Sequence, residues 1–212
     1  MKYKTALLVT FFLVAVALTA CGGKNNQGNV LFSDDFSNTN SGWTQVLDST
    51  EFKTGYKDGA YQIVVNQARS NAWGNPGALN FTDVRVEVDA SKGSGSDDND
   101  FGIICRYQDP TNFYFAVVSS DGFYGIIKMS DGIYNLIGHE ELQSSDQIKL
   151  GDETNHIRFD CIGSTLTLYV NDTQIDQQAD EQYTAGNVGL IAGTYDETGT
   201  DILFDNFYVY QP

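Results

Sequence analysis

Three apolar segments follow one another between residues 101 and 128 with only turns between them, and this leaves few folds open. Residues 101–107, 112–119 and 122–128 are dense in aromatic and β-branched side chains and each is too short for a stable helix. Gln108-Asp109-Pro110-Thr111 supplies the first turn, and Ser120-Asp121-Gly122 the second, with glycine providing the positive φ of a tight connection. The spacing predicts a three-stranded antiparallel meander, which needs further strands beside it and a second layer against its apolar face.

The rest of the chain supplies them. Residues 60–66 alternate around Tyr61, Ile63 and Val65, and residues 81–90 set Val84, Val86 and Val88 against Arg85, Glu87 and Asp89. Residues 155–161 and 165–171 form a hairpin closed by Ile162-Gly163-Ser164, and 185–194 and 201–210 read as the last strands. Residues 73–78 and 92–100 read as loops. No segment keeps a helical period for three turns. About a dozen short strands with frequent turn signals predict one all-β domain over residues 30–212, a two-sheet antiparallel sandwich.

Alternation also assigns faces. Ile157, Phe159 and Cys161 share one side of their strand, with His156, Arg158 and Asp160 on the other, so Cys161 points to the core. Phe101, Ile103, Cys105 and Tyr107 share a side opposite Gly102, Ile104 and Arg106. An unpaired arginine is rarely buried, which turns Cys105 inward as well.

The N-terminus carries an address. Met1-Lys2-Tyr3-Lys4 is basic, residues 6–17 are apolar, and Leu18-Thr19-Ala20-Cys21 follows. The layout is that of a secretory signal over residues 1–20, its apolar run shorter than the about 20 residues a membrane span needs. Its last four residues resemble the bacterial lipobox, whose cysteine receives a diacylglyceryl group and becomes the new N-terminus. This implies lipidation at Cys21, a glycine- and asparagine-rich tether over residues 21–29, and a place in the cell envelope, anchored on the extracytoplasmic face of a bacterial membrane. The alternative is an ordinary signal peptide with a chance cysteine. With Cys21 taken by lipid, Cys105 and Cys161 remain, and export to an oxidising compartment predicts a disulfide between them, two free thiols being the alternative.

The formal net charge of −16 argues against nucleic acid, whose phosphates need lysine and arginine, and against a basic patch docked on anionic headgroups. The acidic surplus reads as a solvated surface, with a few carboxylates held for calcium as the alternative.

Leu31-Phe32-Ser33-Asp34-Asp35-Phe36, Ser41-Gly42-Trp43, the stretch from Phe101 to Asp109, Leu168-Tyr169-Val170-Asn171 and Phe204-Asp205-Asn206-Phe207 together resemble bacterial surface proteins with a concanavalin A-like (laminin-G-like) jelly roll. Their order is also similar to the 3-keto-disaccharide hydrolase type of domain, a branch of the same fold. The resemblance covers residues 30–212 and implies a concanavalin A-like lectin/glucanase sandwich of two curved sheets, whose members often bind glycans on the concave sheet. It also implies one structural calcium where the first and last strands meet, for which Asp35 and Asp205 are the candidate ligands.

Family 16 glycoside hydrolases share that fold and carry Glu-x-Asp-x-x-Glu on a strand. Here Glu87-Val88-Asp89 matches the first half, but Lys92 stands in place of the second glutamate, so one of the two carboxylates such hydrolysis needs is missing. No catalytic set is assigned. A sugar platform needs rings to stack on C–H faces and polar groups to orient hydroxyls. Arg106, Tyr114 on the next strand, Tyr124 on the third and Trp73 as a roof are the candidates, against the alternative that these rings fill the core. Phe113, Phe115 and Val117 alternate with Tyr114, Ala116 and Val118, so both faces of that strand are apolar. Asp97, Asp98 and Asp100 crowd one stretch without an EF-hand pattern, and His139 and His156 lack zinc spacing. Three functions stay open: a non-catalytic carbohydrate-binding module, a structural or partner-binding surface lipoprotein, and a hydrolase of keto-sugar glycosides.

Overall fold

The structure, a computed structural model, describes residues 28–212. The expected signal segment, the expected lipidation site at Cys21 and most of the expected tether lie outside the described residues. Two antiparallel sheets make up the domain. The first holds β1 (Val30–Asp34), β2 (Phe52–Lys57), β3 (Ala60–Val65), β5 (Val84–Ser94), β11 (Asn155–Ile162), β12 (Thr165–Val170), β13 (Thr173–Ala179) and β15 (Thr200–Tyr210). The second holds β4 (Ser70–Gly74), β6 (Asn99–Asp109), β7 (Asn112–Val118), β8 (Phe123–Ser130), β9 (Ile133–Leu136), β10 (Gln143–Ser144) and β14 (Asn187–Thr194).

The expected meander is β6–β7–β8, with turns at Pro110-Thr111 and at Gly122, whose φ is 98°. The first sheet runs β13-β12-β11-β5-β15-β3-β2, with β1 beside β15; the second runs β10-β8-β7-β6-β14-β4, with β9 beside β8. Runs of consecutive strands share a sheet (β1–β3, β6–β10, β11–β13), and the chain crosses between the layers around β4, β5, β14 and β15.

The core lies between the sheets and follows the alternation. Val84, Val86 and Val88 on β5, Ile157 and Phe159 on β11, and Leu166, Leu168 and Val170 on β12 meet Phe101 and Ile103 on β6, Ala116 and Val118 on β7, and Leu190 and Ala192 on β14. All are buried. Cys105 and Cys161 form a disulfide across the sandwich, with Cα atoms 6.8 Å apart. It ties β6 of one sheet to β11 of the other and closes a 56-residue separation, worth roughly 4 kcal/mol by the chain-entropy account.

The Asp34-Asp35-Phe36 and Ser41-Gly42-Trp43 segments form a knot at one corner. Trp43 packs edge-on to Phe36 and Phe207, and its Nε1 donates to Asp34 Oδ2 at 2.9 Å, while Asp34 Oδ1 accepts from the Phe36 amide at 2.8 Å. These residues mark the fold because a buried indole and a buried carboxylate satisfy one another there.

Three expectations change. Trp73, read as part of a loop, lies within β4, and the 92–100 loop shrinks to the few residues between Ser94 and Asn99. The parity of β6 holds only to Cys105. Arg106 has φ 52°, and the pairing of β6 with β7 shifts register between Cys105 and Asp109. The bulge swings Arg106 inward and Tyr107 outward, against Phe113.

Candidate functional site

β7 is apolar on both faces because both faces are covered. Tyr114, Ala116 and Val118 face the inter-sheet core. Phe113, Phe115 and Val117 face outward and form a second cluster with Ile104, Met129 and Ile191, edged by Trp73, Tyr107 and Ile127. The rings run in a chain: Trp73 to Phe113 at 5.5 Å, Phe113 to Phe115 at 5.6 Å, and Phe115 to Tyr134 at 5.9 Å between centroids. The six members of this cluster are 0–3% exposed, so the layer is a second, smaller core, and Tyr134 is the exposed ring at its edge.

A groove of about 710 Å³ opens beside this layer. Phe115, Ile127, Tyr134, Leu136 and Leu142 form its apolar wall, and Tyr134 is 50% exposed. Asn71, Asp98, Asp100, Glu141 and Tyr195 line its polar end. Asn71, Gly193 and Asp100 stand in register across β4, β14 and β6. Asn71 Nδ2 donates to Asp100 Oδ1 at 3.1 Å. The two side chains meet over Gly193, where a Cβ would lie 2.8 Å from the Asn71 amide nitrogen and from both Asp100 carboxylate oxygens. Burial pushes the Asp100 carboxyl up to about 7, against the lowering effect of hydrogen bonds from Asn71 and Tyr195. Arg69 enters at the rim, where its Nε and Nη2 donate to Asp196 Oδ1 at 2.9 and 2.7 Å.

The residues singled out in the sequence do not converge on this groove. Arg106 is 1% exposed, and its guanidinium donates to the Tyr183 carbonyl at 2.8 Å, the Thr82 carbonyl at 3.4 Å and Asp83 at 3.4 Å. Tyr114 is buried in the inter-sheet core; its hydroxyl donates to Asp180 and accepts from the Tyr183 amide at 3.0 Å. Tyr124 is half-buried and packs against the same core. Trp73 alone of the four stands on the outer aromatic layer. A Tyr/Arg pattern on adjacent strands shows which residues are neighbours, but the bulge at Arg106 decides which side they take.

Glu87 and Asp89 lie on the other sheet. They face His156, whose Nδ1 is 2.8 Å from Asp89 Oδ1 and whose Nε2 is 3.8 Å from Glu87 Oε2. Asn206 also donates to Asp89, at 3.0 Å. The Asp35 carboxylate accepts from the Ser37 hydroxyl and amide, which lower its pKa, and Asp205 accepts from the Asn206 amide. Among the described residues no three or more His, Cys, Asp or Glu side chains gather as a metal site.

The sequence signal for the groove was present in two places: the two-sided apolar pattern of β7, and the acidic run ending at Asp100, a polar residue at the start of a strand whose next residues are all buried.

No family model and no curated protein matches the chain. Solved structures do. A carbohydrate-binding module, CBM66, from Bacillus subtilis superposes with a TM-score of 0.57 at 20% identity, covering 81% of this chain and 96% of that one. A Bacillus licheniformis β-glucanase gives 0.63 at 12% identity, covering 85% and 98%. A Bacillus subtilis protein of unknown function with a galectin-like fold gives 0.61 at 14% identity, covering 87% and 97%. The chain has the concanavalin A-like jelly-roll fold. At these identities the likeness concerns the fold.

Proposed function

We propose that this chain is a lipid-anchored, extracytoplasmic glycan-binding module whose sugar site is the groove on the outer face of the seven-stranded sheet. The observation that carries the reading is the groove itself, in which an aromatic and aliphatic wall runs into a cluster of hydrogen-bonding side chains. Sugars have that division: C–H faces that stack on rings and hydroxyls that need fixed partners. The sheet supplies the rings in rigid strands, so little order has to be gained on binding. The superposition on a carbohydrate-binding module and on a glucanase supports the reading. Catalysis forms no part of it, since the one family-type carboxylate pair, Glu87 and Asp89, is engaged with His156 away from the groove.

A glycan array probed with the full-length chain tests the site. At least one glycan family should bind, and Tyr134→Ala together with Leu142→Ala should weaken that binding by more than about tenfold, roughly 1.4 kcal/mol, with an unchanged melting temperature. A blank array, or a variant that binds as the parent does, would remove the groove from consideration.

The anchor rests on the Leu18-Thr19-Ala20-Cys21 motif. Metabolic labelling with a fatty acid should mark the parent protein and leave Cys21→Ala unlabelled; label retained in the variant would end the lipid reading.

A further inference from the structure

We infer that the groove selects positively charged sugars, namely glycans built of hexosamines whose nitrogens are free rather than acetylated. The inference rests on the glycan reading above and narrows it.

The charges lining the groove point one way. Asp98, Asp100, Glu141 and Asp196 lie along it, and Asp121 joins them through an adjoining hollow of about 330 Å³ that shares Asp98, Glu141, Leu142 and Tyr195 with it. The cation among the lining residues, Arg69, already gives two hydrogen bonds to Asp196. A uronic or sulfated sugar would bring more negative charge into this field with no free cation to meet it, and like charges brought together at an interface are strongly unfavourable. A neutral sugar would gain hydrogen bonds and no more. A protonated amine gains both hydrogen bonds and attraction to several carboxylates.

The field shows in the groups that feel it. Burial, followed by repulsion from Asp121, Asp196 and Glu197, holds the Asp98 carboxyl above its usual range. Asp100 is the second, separate observation. It is 7% exposed and sits on the floor of an open groove, a position that exists only because residue 193 has no side chain. A carboxylate so buried is costly unless its charge is met. Hydrogen bonds from Asn71 and Tyr195 meet it in part, and a sugar ammonium seated against Asn71 and Asp100 brings a full opposite charge from outside. The exposed ring of Tyr134, with Leu142 beside it, takes the ring of the neighbouring sugar, so the site fits a chain of at least two units.

The test is calorimetry on the full-length chain with four probes: a glucosamine hexamer, its N-acetylated twin, a glucose hexamer and hexalysine. In mildly acidic buffer the glucosamine hexamer should bind at least about tenfold tighter than either other sugar, and added salt should weaken it. The variant Asp98→Asn with Glu141→Gln, both solvent-exposed positions, should keep its circular dichroism and lose the preference. Equal binding of the acetylated and free-amine hexamers overturns the charge selection and leaves the glycan reading standing. A preference that survives in the double variant overturns the assignment to these carboxylates. Hexalysine bound as tightly as the glucosamine hexamer overturns it in favour of a basic peptide. Absence of binding by all three sugars overturns both readings.

Discussion

Asp100 concentrates the chemistry of the groove in one side chain. Its carboxyl moves from 3.8 in the unfolded chain up to about 7 in the folded one, chiefly through burial. Between those values the native state holds a proton that the unfolded state has released, so stability falls as pH rises through this window and levels off above it. A shift of this size corresponds to up to about 4 kcal/mol. Asp100→Asn keeps an oxygen for the Asn71 amide and has no charge to lose. Its melting temperature, relative to the parent, should climb between about pH 4 and about pH 7, and thermal denaturation across that range measures it. Parallel curves for the two proteins would show that the carboxylate is ionised in the folded state throughout. Neither the burial nor the closure over Gly193 is legible in the sequence, where Asp100 is one acid among several. Both depend on the register of β4, β14 and β6, which bring residues 71, 193 and 100 into one row.

At the scale of the strand, alternation carried most of the fold. Val84, Val86 and Val88, Ile157, Phe159 and Cys161, and Leu166, Leu168 and Val170 all turn to the core as their period requires, because one face of each strand is buried and a slip of one residue would expose the whole set. The reading weakens where that pressure is absent. β13, the sequence Thr-Gln-Ile-Asp-Gln-Gln-Ala, is an edge strand with little apolar area to bury and has no pattern to read. It breaks at the β6 bulge, since an added residue reverses parity without leaving a mark in the hydrophobic pattern. Cys105 therefore points inward as expected, while the premise that Arg106 points outward does not hold: the guanidinium is buried and spent on the carbonyls of Tyr183 and Thr82. Arg106→Ala should leave those buried carbonyls without a donor and cost roughly 2–4 kcal/mol, while changing the affinity of the groove less than about twofold. Chemical denaturation and a binding isotherm on the same variant separate the two effects. A variant of parental stability with lost binding would return Arg106 to the ligand site.

At the scale of the molecule, the first and last strands meet at one end of the sandwich and the acidic end of the groove lies at the other. Asn29 pairs with Gln211, and Val30 with Tyr210, so the tether joins the domain beside its last strand. The same end holds Arg85 and Cys161, and through the disulfide it holds the Cys105 end of β6. The acidic end of the groove lies at the other end of that strand, with Asp100 across from Gly193. Seven residue steps along β6 lead from Asp100 to Tyr107, a distance of roughly 23 Å. With the anchor proposed at Cys21, the bilayer lies beyond the tether end and the groove's acidic mouth points away from it. The antiparallel pairing of β1 with β15 sets this polarity: it puts Val30 beside Tyr210 at one end of the sandwich and leaves the loops at the opposite end open. A long polymer should then reach the groove as readily on a membrane as in solution. The lipidated chain in vesicles and the soluble Cys21→Ala chain should bind the same polymeric glycan with affinities within about twofold of each other. A tenfold loss on vesicles for the polymer, with short oligosaccharides unaffected, would mean that the groove faces the bilayer and that the tether folds back along the sandwich.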